Sequence, residues 1–274
     1  LKIIYESLFW SVGRQTKIMI HKLSLIDPLA KIDDGASIGP YSVIGPEVEI
    51  GKDSVIHSHV VIEGPTKIGK NNEIFQFASI GGDPQDKKYK GEKTYLEIGN
   101  DNVIREGVTI NRGTVQENSL TKIGSKNLIM AYCHIAHDCE IQDEVVLVNN
   151  ASLAGCVKIE KGAILGGFSL VHQFCKVGQY SFSAMGSSVG KDIPAFVRVS
   201  GSPAFPRGLN TTGMQRLNLS KEVSDGLKEA YKILYLRNLK LKDSIDEISK
   251  KLNEISEVQI LMDSINASER GIVR

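Results

Sequence analysis

The chain has 274 residues, long enough to bury a sizeable core in one large domain or two ordinary ones. Its 33 basic and 32 acidic residues leave a formal charge of +1, which argues against a nucleic-acid surface built on general basicity. No apolar run approaches the roughly 18 residues that span a bilayer, and the 4 cysteines, Cys133, Cys139, Cys156 and Cys175, sit in apolar or repeat-like stretches with no CxxC pair. They read as reduced thiols of a cytoplasmic protein rather than a disulfide framework.

Residues 1–18 combine apolar side chains without the apolar core and cleavage site of a signal peptide. They are expected to be an extension ahead of a start at Met19, the competing reading being a short helix packed on one end of the domain. From Ile26 onward a period of six takes over: Ile32, Ile38, Ile44, Ile50, Ile56, Ile62, Ile68, Ile74 and Ile80 follow without a miss. The phase returns at Ile98, Ile104 and Ile110, then runs from Ile123 through Ile129, Ile135, Ile141, Leu147, Leu153, Ile159, Leu165, Val171 and Val177, with Ser183 a break before Val189. Four residues after each aliphatic comes a mostly small residue (Ala30, Ala36, Ser42, Val48, Ser54).

Six residues fit neither a 3.6-residue helix nor a simple alternating strand. They fit short strands joined by tight turns, three of which close a triangular coil of 18 residues whose aliphatics stack as interior columns. Asn71-Asn72 and Asn149-Asn150 suit corners that demand positive φ. The expected fold is therefore mainly β, a left-handed parallel β-helix of hexapeptide repeats. Residues 81–97 and 116–122 interrupt the repeat and are expected to loop out on the outer face, where solenoids bind ligands.

The repeat is expected to end near Asp192-Ile193-Pro194, with Gly201–Thr212 irregular. A helical period follows from Ser220, with Val223, Leu227, Ala230, Tyr231 and Leu234 on one face. Ser244 with Glu247 reads as a capping box opening a second helix that carries Ile245, Ile248, Leu252 and Ile255, and Ile260, Leu261 and Ile265 suggest a third. The organisation is an extension (1–18), a β-helix domain (19–199) and a small α-helical C-terminal domain (200–274).

The segment Cys133-His134-Ile135-Ala136-His137-Asp138-Cys139, with Val171-His172-Gln173-Phe174 further on, is the richest in chemistry. Residues 18 apart stack between coils, so His137 falls beside Gly155, Gly155 beside Gln173, and His134 near the same corner. An imidazole with a neighbouring carboxylate, Asp138, above a glycine N–H offers a general base and an oxyanion donor, the two groups that acyl transfer from a thioester requires. Three readings compete: a solvated surface histidine, a metal site of His134, His137 and His172, and a hydrogen-bonded structural cluster. No P-loop, dinucleotide fingerprint or GxSxG elbow is present.

Six stretches resemble the UDP-N-acetylglucosamine O-acyltransferase family of lipid A (lipopolysaccharide) biosynthesis: residues 72–81, Arg112-Gly113-Thr114-Val115-Gln116, residues 134–139, Asn149-Asn150-Ala151, Val171–Cys175 and the ending Arg270–Arg274. The resemblance spans roughly Met19 to Arg274 and implies a homotrimer with clefts between subunits. It implies transfer of a 3-hydroxyacyl chain from acyl carrier protein to the 3-hydroxyl of UDP-N-acetylglucosamine, without metal or cofactor, the donor riding on the carrier's phosphopantetheine. His137 matches the family's general base, Asp138 its carboxylate and Gly155 the oxyanion donor. Gln85, Asp86 and Lys88 match residues that hold the sugar nucleotide; His134, His172 and Gln173 match further pocket residues; Asn210 and Arg216 match nucleotide contacts. Cys156 and Asn111 stand where histidines would be expected, and Leu217 where a second arginine often follows.

Met185 occupies the resemblance's acyl-chain ruler position, which implies a donor of about ten carbons rather than about fourteen, since a filled groove leaves methylenes unburied at about 0.8 kcal/mol each. A flexible Met that swings aside is the competing reading. The N-acyltransferase of the same pathway carries a sizeable N-terminal uridine-binding domain, for which 25 residues before the repeats are too few. A zinc-dependent hexapeptide carbonic anhydrase and a non-catalytic β-helix are the remaining alternatives. Lys228, Lys232 and Arg237 are candidates to meet the acidic carrier protein, a solvated helix face being the competing reading.

Overall fold

The computed structural model describes residues 19–274; the segment 1–18, read above as an extension, lies outside the described residues. Strands of mostly two residues wind into three sheets of 11, 9 and 8 strands, parallel except for the last strand of the first, which form the faces of a triangular β-helix. Every sixth aliphatic points inward, and the columns from Ile38 to Val177 are almost fully buried. Each removes of the order of 2 kcal/mol of apolar surface from water, which is what selects this coil.

The second inward position, two residues before each aliphatic, is polar at several levels and is satisfied along the helix axis. Asn102 Nδ2 donates to Asn72 Oδ1 at 2.9 Å, the Asn127 N–H to Asn102 Oδ1 at 2.9 Å, and the Val145 N–H to Asn127 Oδ1 at 2.7 Å. Ser183, the one break in the aliphatic column, is buried and shares a 2.7 Å hydrogen bond with Ser169.

Outward side chains distinguish the three faces. On the first they are mainly aliphatic or aromatic, with Val103, Leu128, Val146, Ile164 and Phe182 partnered rung by rung. On the third they alternate in charge from Lys31 through Glu49, Lys67, Glu97, Lys122, Glu140 and Lys158. Lys176, where the alternation fails, reaches Glu269 of the tail at 3.0 Å. The second face carries Thr109, His134, Ser152 and Leu170.

Several expectations are corrected. Strand pairing intrudes into both insertions: Gly81 and Gly82, Tyr95–Glu97 and Leu120–Lys122 all sit in strands. The extruded residues are therefore 83–94 and 112–119, where successive coils are offset by 30 and 25 residues instead of 18. Only Asn71 and Asn150 of the two asparagine pairs take positive φ; Asn72 turns inward to the polar column. The Gly201–Thr212 segment is ordered, its residues completing an antiparallel hairpin, Val197–Ser200 with Phe205–Leu209, and opening a helix, α1 (Thr211–Arg216).

Helix α2 (Lys221–Tyr235) starts where the helical period was expected, and Ser220 caps it, accepting from the Val223 N–H. The capping box at Ser244 and Glu247 does not form. Helix α3 (Leu241–Leu252) begins a turn earlier, because Ser244 is buried and its hydroxyl donates to the carbonyls of Lys240 and Ile233. Ile255 belongs to the cap of α4 (Ser256–Asn266) and not to α3. The ending folds back onto the β-helix, where the Val273 N–H donates to the Asp192 carbonyl at 2.9 Å and Ile272 is buried.

Candidate active site

His134 lies in a strand of the second face and His137 in the corner that follows, leading to the third. Asp138 holds φ at 58°, a left-handed conformation that Asp tolerates better than most side chains. Its side chain is 1% exposed against 19% for His137. Three donors converge on the buried carboxylate. The Thr114 N–H lies 3.0 Å from both oxygens, Thr114 Oγ1 is 2.7 Å from Oδ2, and His137 Nδ1 is 2.8 Å from Oδ2. A carboxylate that accepts from Thr114 is an acceptor toward the ring as well, so Nδ1 carries the proton and Nε2 keeps its lone pair.

One coil away, Gly155 packs directly against the imidazole. A Cβ built there would lie 2.6 Å from His137 Cε1 and 2.7 Å from Nε2, so only glycine admits the ring in this position. The ring also buries Gly155, whose N–H makes no hydrogen bond among the described residues. The expected stacking of His137 on Gly155 is thus present. Gln173 belongs to the next coil, where the Phe174 N–H donates to the Gly155 carbonyl at 3.2 Å.

The other two histidines are held separately. His134 Nδ1 is 2.7 Å from Thr109 Oγ1, and burial first, then the nearby His137, hold its pKa below the usual imidazole range. His172 is exposed, its Nδ1 donating to the Gln173 carbonyl at 3.1 Å. The metal-capable cluster that does form consists of His137, Asp138 and Cys156, with ligand atoms within 4.8 Å of one another. It is a poor resident-metal centre: Asp138 is filled by its donors, and the Cys156 thiol is pushed up to about 12 by burial and by the carboxylates of Glu117, Asp138 and Asp86.

The same influence places Asp86 of the first insertion within electrostatic reach of this corner. Asp86 accepts from the Lys88 N–H at 2.9 Å, and Lys88 and Gln85 are exposed. The insertion is anchored by Arg112, a buried guanidinium that donates to the Gly81 carbonyl, to the Asp83 carboxylate and, at 3.2 Å, to the Tyr89 hydroxyl. Asn111 is buried beside it and donates to the Asp83 carbonyl at 2.8 Å, its own Oδ1 having no partner among the described residues.

Asn210 is spent on structure, its Oδ1 capping α1 at the Gly213 N–H and its Nδ2 donating to the Tyr180 carbonyl at 2.9 Å; Arg216 is exposed on the last turn of that helix. Met185 is 78% exposed at a different corner, between the first and second faces. Lys228, Lys232 and Arg237 are each matched by Asp225, Glu229 or Glu247, which gives them the character of a self-neutralised surface. Thr114 and Arg112 were not singled out as site residues in the sequence. Thr114 carried no signal of its own, because the burial of Asp138 that demands its donors is seen only in the structure.

Together the hexapeptide coils, the His-Asp pair and the glycine beneath it define a β-helix acyltransferase. A family model described as bacterial transferase hexapeptide (six repeats) matches residues 29–64 and 120–155, and one described as UDP N-acetylglucosamine O-acyltransferase, domain 2, matches residues 192–273. The chain is 53% identical over 256 residues to the acyl-[acyl-carrier-protein]–UDP-N-acetylglucosamine O-acyltransferase of Stutzerimonas stutzeri, covering 93% of this chain and 99% of that one. The crystal structure of the UDP-N-acetylglucosamine O-acyltransferase of Moraxella catarrhalis superposes with a TM-score of 0.91 at 48% identity, over 93% of this chain and 99% of that one. The Arabidopsis UDP-N-acetylglucosamine acyltransferase superposes with a TM-score of 0.83 at 33% identity, over 93% and 100%. The chain belongs to the acyl-[acyl-carrier-protein]–UDP-N-acetylglucosamine O-acyltransferase family.

Proposed function

We propose that the chain moves a 3-hydroxyacyl group from acyl carrier protein to the 3-hydroxyl of UDP-N-acetylglucosamine, the first step of lipid A biosynthesis, in the cytoplasm and as a homotrimer. The observation that carries the chemistry is the Thr114–Asp138–His137 chain of hydrogen bonds ending on an unoccupied Nε2 over Gly155. His137 Nε2 takes the proton of the sugar hydroxyl as its oxygen attacks the thioester carbonyl. Negative charge develops on the carbonyl oxygen, and the Gly155 N–H, with no other acceptor, receives it. The intermediate collapses by breaking the C–S bond, and the imidazolium returns its proton to the departing phosphopantetheine thiolate. Asp138 stabilises that imidazolium and fixes the tautomer. The balance closes without metal or cofactor.

Gln85, Asp86 and Lys88 hold the sugar nucleotide from the first insertion, Lys88 as a point charge for phosphate. His134, His172 and Gln173 line the cleft, and Asn210 holds α1 so that Arg216 faces the nucleotide. The first face, apolar from Val103 to Phe182, and the second, which carries no charged outward strand residue from Leu25 to Leu170, support packing of copies around them, against a third of alternating charge. Met185 acts as the acyl-chain ruler.

The test is transfer from a panel of 3-hydroxyacyl carrier proteins to UDP-N-acetylglucosamine, with His137→Ala and Met185→Gly beside the native chain. General-base loss lowers the rate by at least about a hundredfold. Native preference for a donor of about ten carbons, lengthened by Met185→Gly, supports the ruler, because each extra buried methylene contributes about 0.8 kcal/mol. An unchanged chain-length profile refutes the ruler, and full activity of His137→Ala refutes the base.

A further inference from the structure

We propose that Thr114 is a positioning residue: its hydroxyl fixes the Asp138 carboxylate so that His137 is held in the tautomer that leaves Nε2 bare. The consequence for acyl transfer rests on the proposed function; the hold on the ring does not.

The second insertion replaces a corner of the coil that precedes His137. Across it the coils are offset by 25 residues, as in Thr109 with His134, and after it the offset returns to 18, as in Ser125 with Asp143. Asp138 therefore lacks the partner of an ordinary corner. Cys156 and Phe174, which hold positive φ at the next two corners, donate their N–H groups to carbonyls of the coil before, those of His137 and Gly155. The Asp138 N–H donates instead to Thr121 Oγ1 at 2.8 Å. Thr121 thus satisfies the main chain, and the interrupted ladder asks nothing more.

Thr114 serves a different group. It stands at the other end of the insertion, 1% exposed, and both of its donors go to the Asp138 side chain, which has no part in the ladder. Its N–H lies 3.0 Å from both carboxylate oxygens and does not choose between them. The choice comes from Oγ1, 2.7 Å from Oδ2, the same oxygen that takes His137 Nδ1 at 2.8 Å. The Asp138 side chain is 1% exposed, so a lost hydroxyl leaves a buried acceptor short of a donor. A carboxylate held by the N–H alone can present either oxygen, and the ring loses the fixed Nδ1–H bond that sets its tautomer. Buried as it is, Thr114 acts through Asp138 and not on a substrate.

The experiment compares native chain, Thr114→Val and Thr114→Ser in two readouts. Valine removes the hydroxyl and keeps the backbone bonds, including that of the Thr114 carbonyl with the Ser119 N–H at 2.9 Å. Steady-state transfer is expected to show kcat lowered about tenfold to a hundredfold in Thr114→Val, the worth of a hydrogen bond to a charged group. KM for both substrates should stay native, and Thr114→Ser should recover most of the rate. Solid-state ¹⁵N spectra of the histidine-labelled full chain, without substrate at about pH 8, read the ring directly, His137 being assigned by its absence from His137→Ala. Native His137 is expected to show a protonated Nδ1 and a bare Nε2, and Thr114→Val a mixture of tautomers. A native ring protonated at Nε2 overturns the proposal whatever the variants do. So does native kcat or an unchanged ring signature in Thr114→Val, or a loss that Thr114→Ser shares in full. A tautomer that shifts with Thr114, in a chain whose transfer survives His137→Ala, overturns the proposed function and upholds the positioning.

Discussion

Gly155 sets the tolerance of the catalytic corner. A Cβ at this position would stand 2.7 Å from His137 Nε2, so alanine forces the ring off its hydrogen bond to Asp138. Gly155→Ala is expected to lower kcat by about a hundredfold or more, the contribution of a positioned base, while the melting temperature moves little because the clash is with a side chain. A kinetic comparison with native protein checks this, and an unaltered kcat would remove Gly155 from the mechanism. His134 gives a pH dependence of stability. Burial and the nearby His137 depress its folded pKa below the unfolded value near 6.5. The unfolded chain therefore binds the proton more readily, so stability is fully present above about 6.5 and is lost as pH falls through the folded pKa. Melting curves between about pH 7.5 and 5 should show this acid loss reduced in His134→Gln, which has no such proton to take up.

The elements around the corner depend on two polar devices. Arg112 clamps the first insertion by donating to the Gly81 carbonyl, Asp83 and Tyr89, so Arg112→Met should free residues 83–94. The Michaelis constant for the sugar nucleotide is expected to rise more than kcat falls, and trypsin should cut at Lys87, Lys88 or Lys90 sooner than in native protein. Equal cutting would show the clamp to be dispensable. In the polar column, Asn102→Ala leaves the Asn127 N–H unpaired and removes the Asn102 amide from Asn72. Denaturant unfolding should show a loss of about 2–4 kcal/mol, since a buried orphan costs about 1–3 kcal/mol beyond the bonds lost.

These two devices also mark where the sequence stops being legible. The aliphatic column is readable because burial repeats every six residues, and stacking on that period brings His137 to Gly155 from the sequence alone. The donors to Asp138 come from Thr114, 24 residues away across an insertion of irregular length, so no fixed offset points to them. The insertion boundaries were missed because Tyr95–Glu97 and Leu120–Lys122 pair as strands while lying beside loop-like residues. Ser244 and Glu247 have capping-box spacing, yet burial of the Ser244 hydroxyl against Ile233 overrode it.

At the scale of the molecule the three faces make different demands on the surroundings. The third is solvated by its own design: neighbouring rungs of opposite charge, such as Lys31 and Glu49 at 2.7 Å, satisfy one another along the helix. The first leaves Val146, Ile164 and Phe182 half-buried in a contiguous row, and the His137 side chain keeps 19% of its surface exposed. Packing copies through the apolar part of the first face would cover that row, since a contiguous apolar patch stays exposed only at a cost of about 25 cal/mol per Å². Ile164→Glu is therefore expected to reduce the sedimenting species from three chains toward one and to abolish transfer together with assembly, although Ile164 lies away from the His137 corner. Lys122→Gln on the third face should leave both mass and activity as in native protein. Full-size, active Ile164→Glu would place the contact between copies elsewhere and would require His137 to work on a surface its own chain completes.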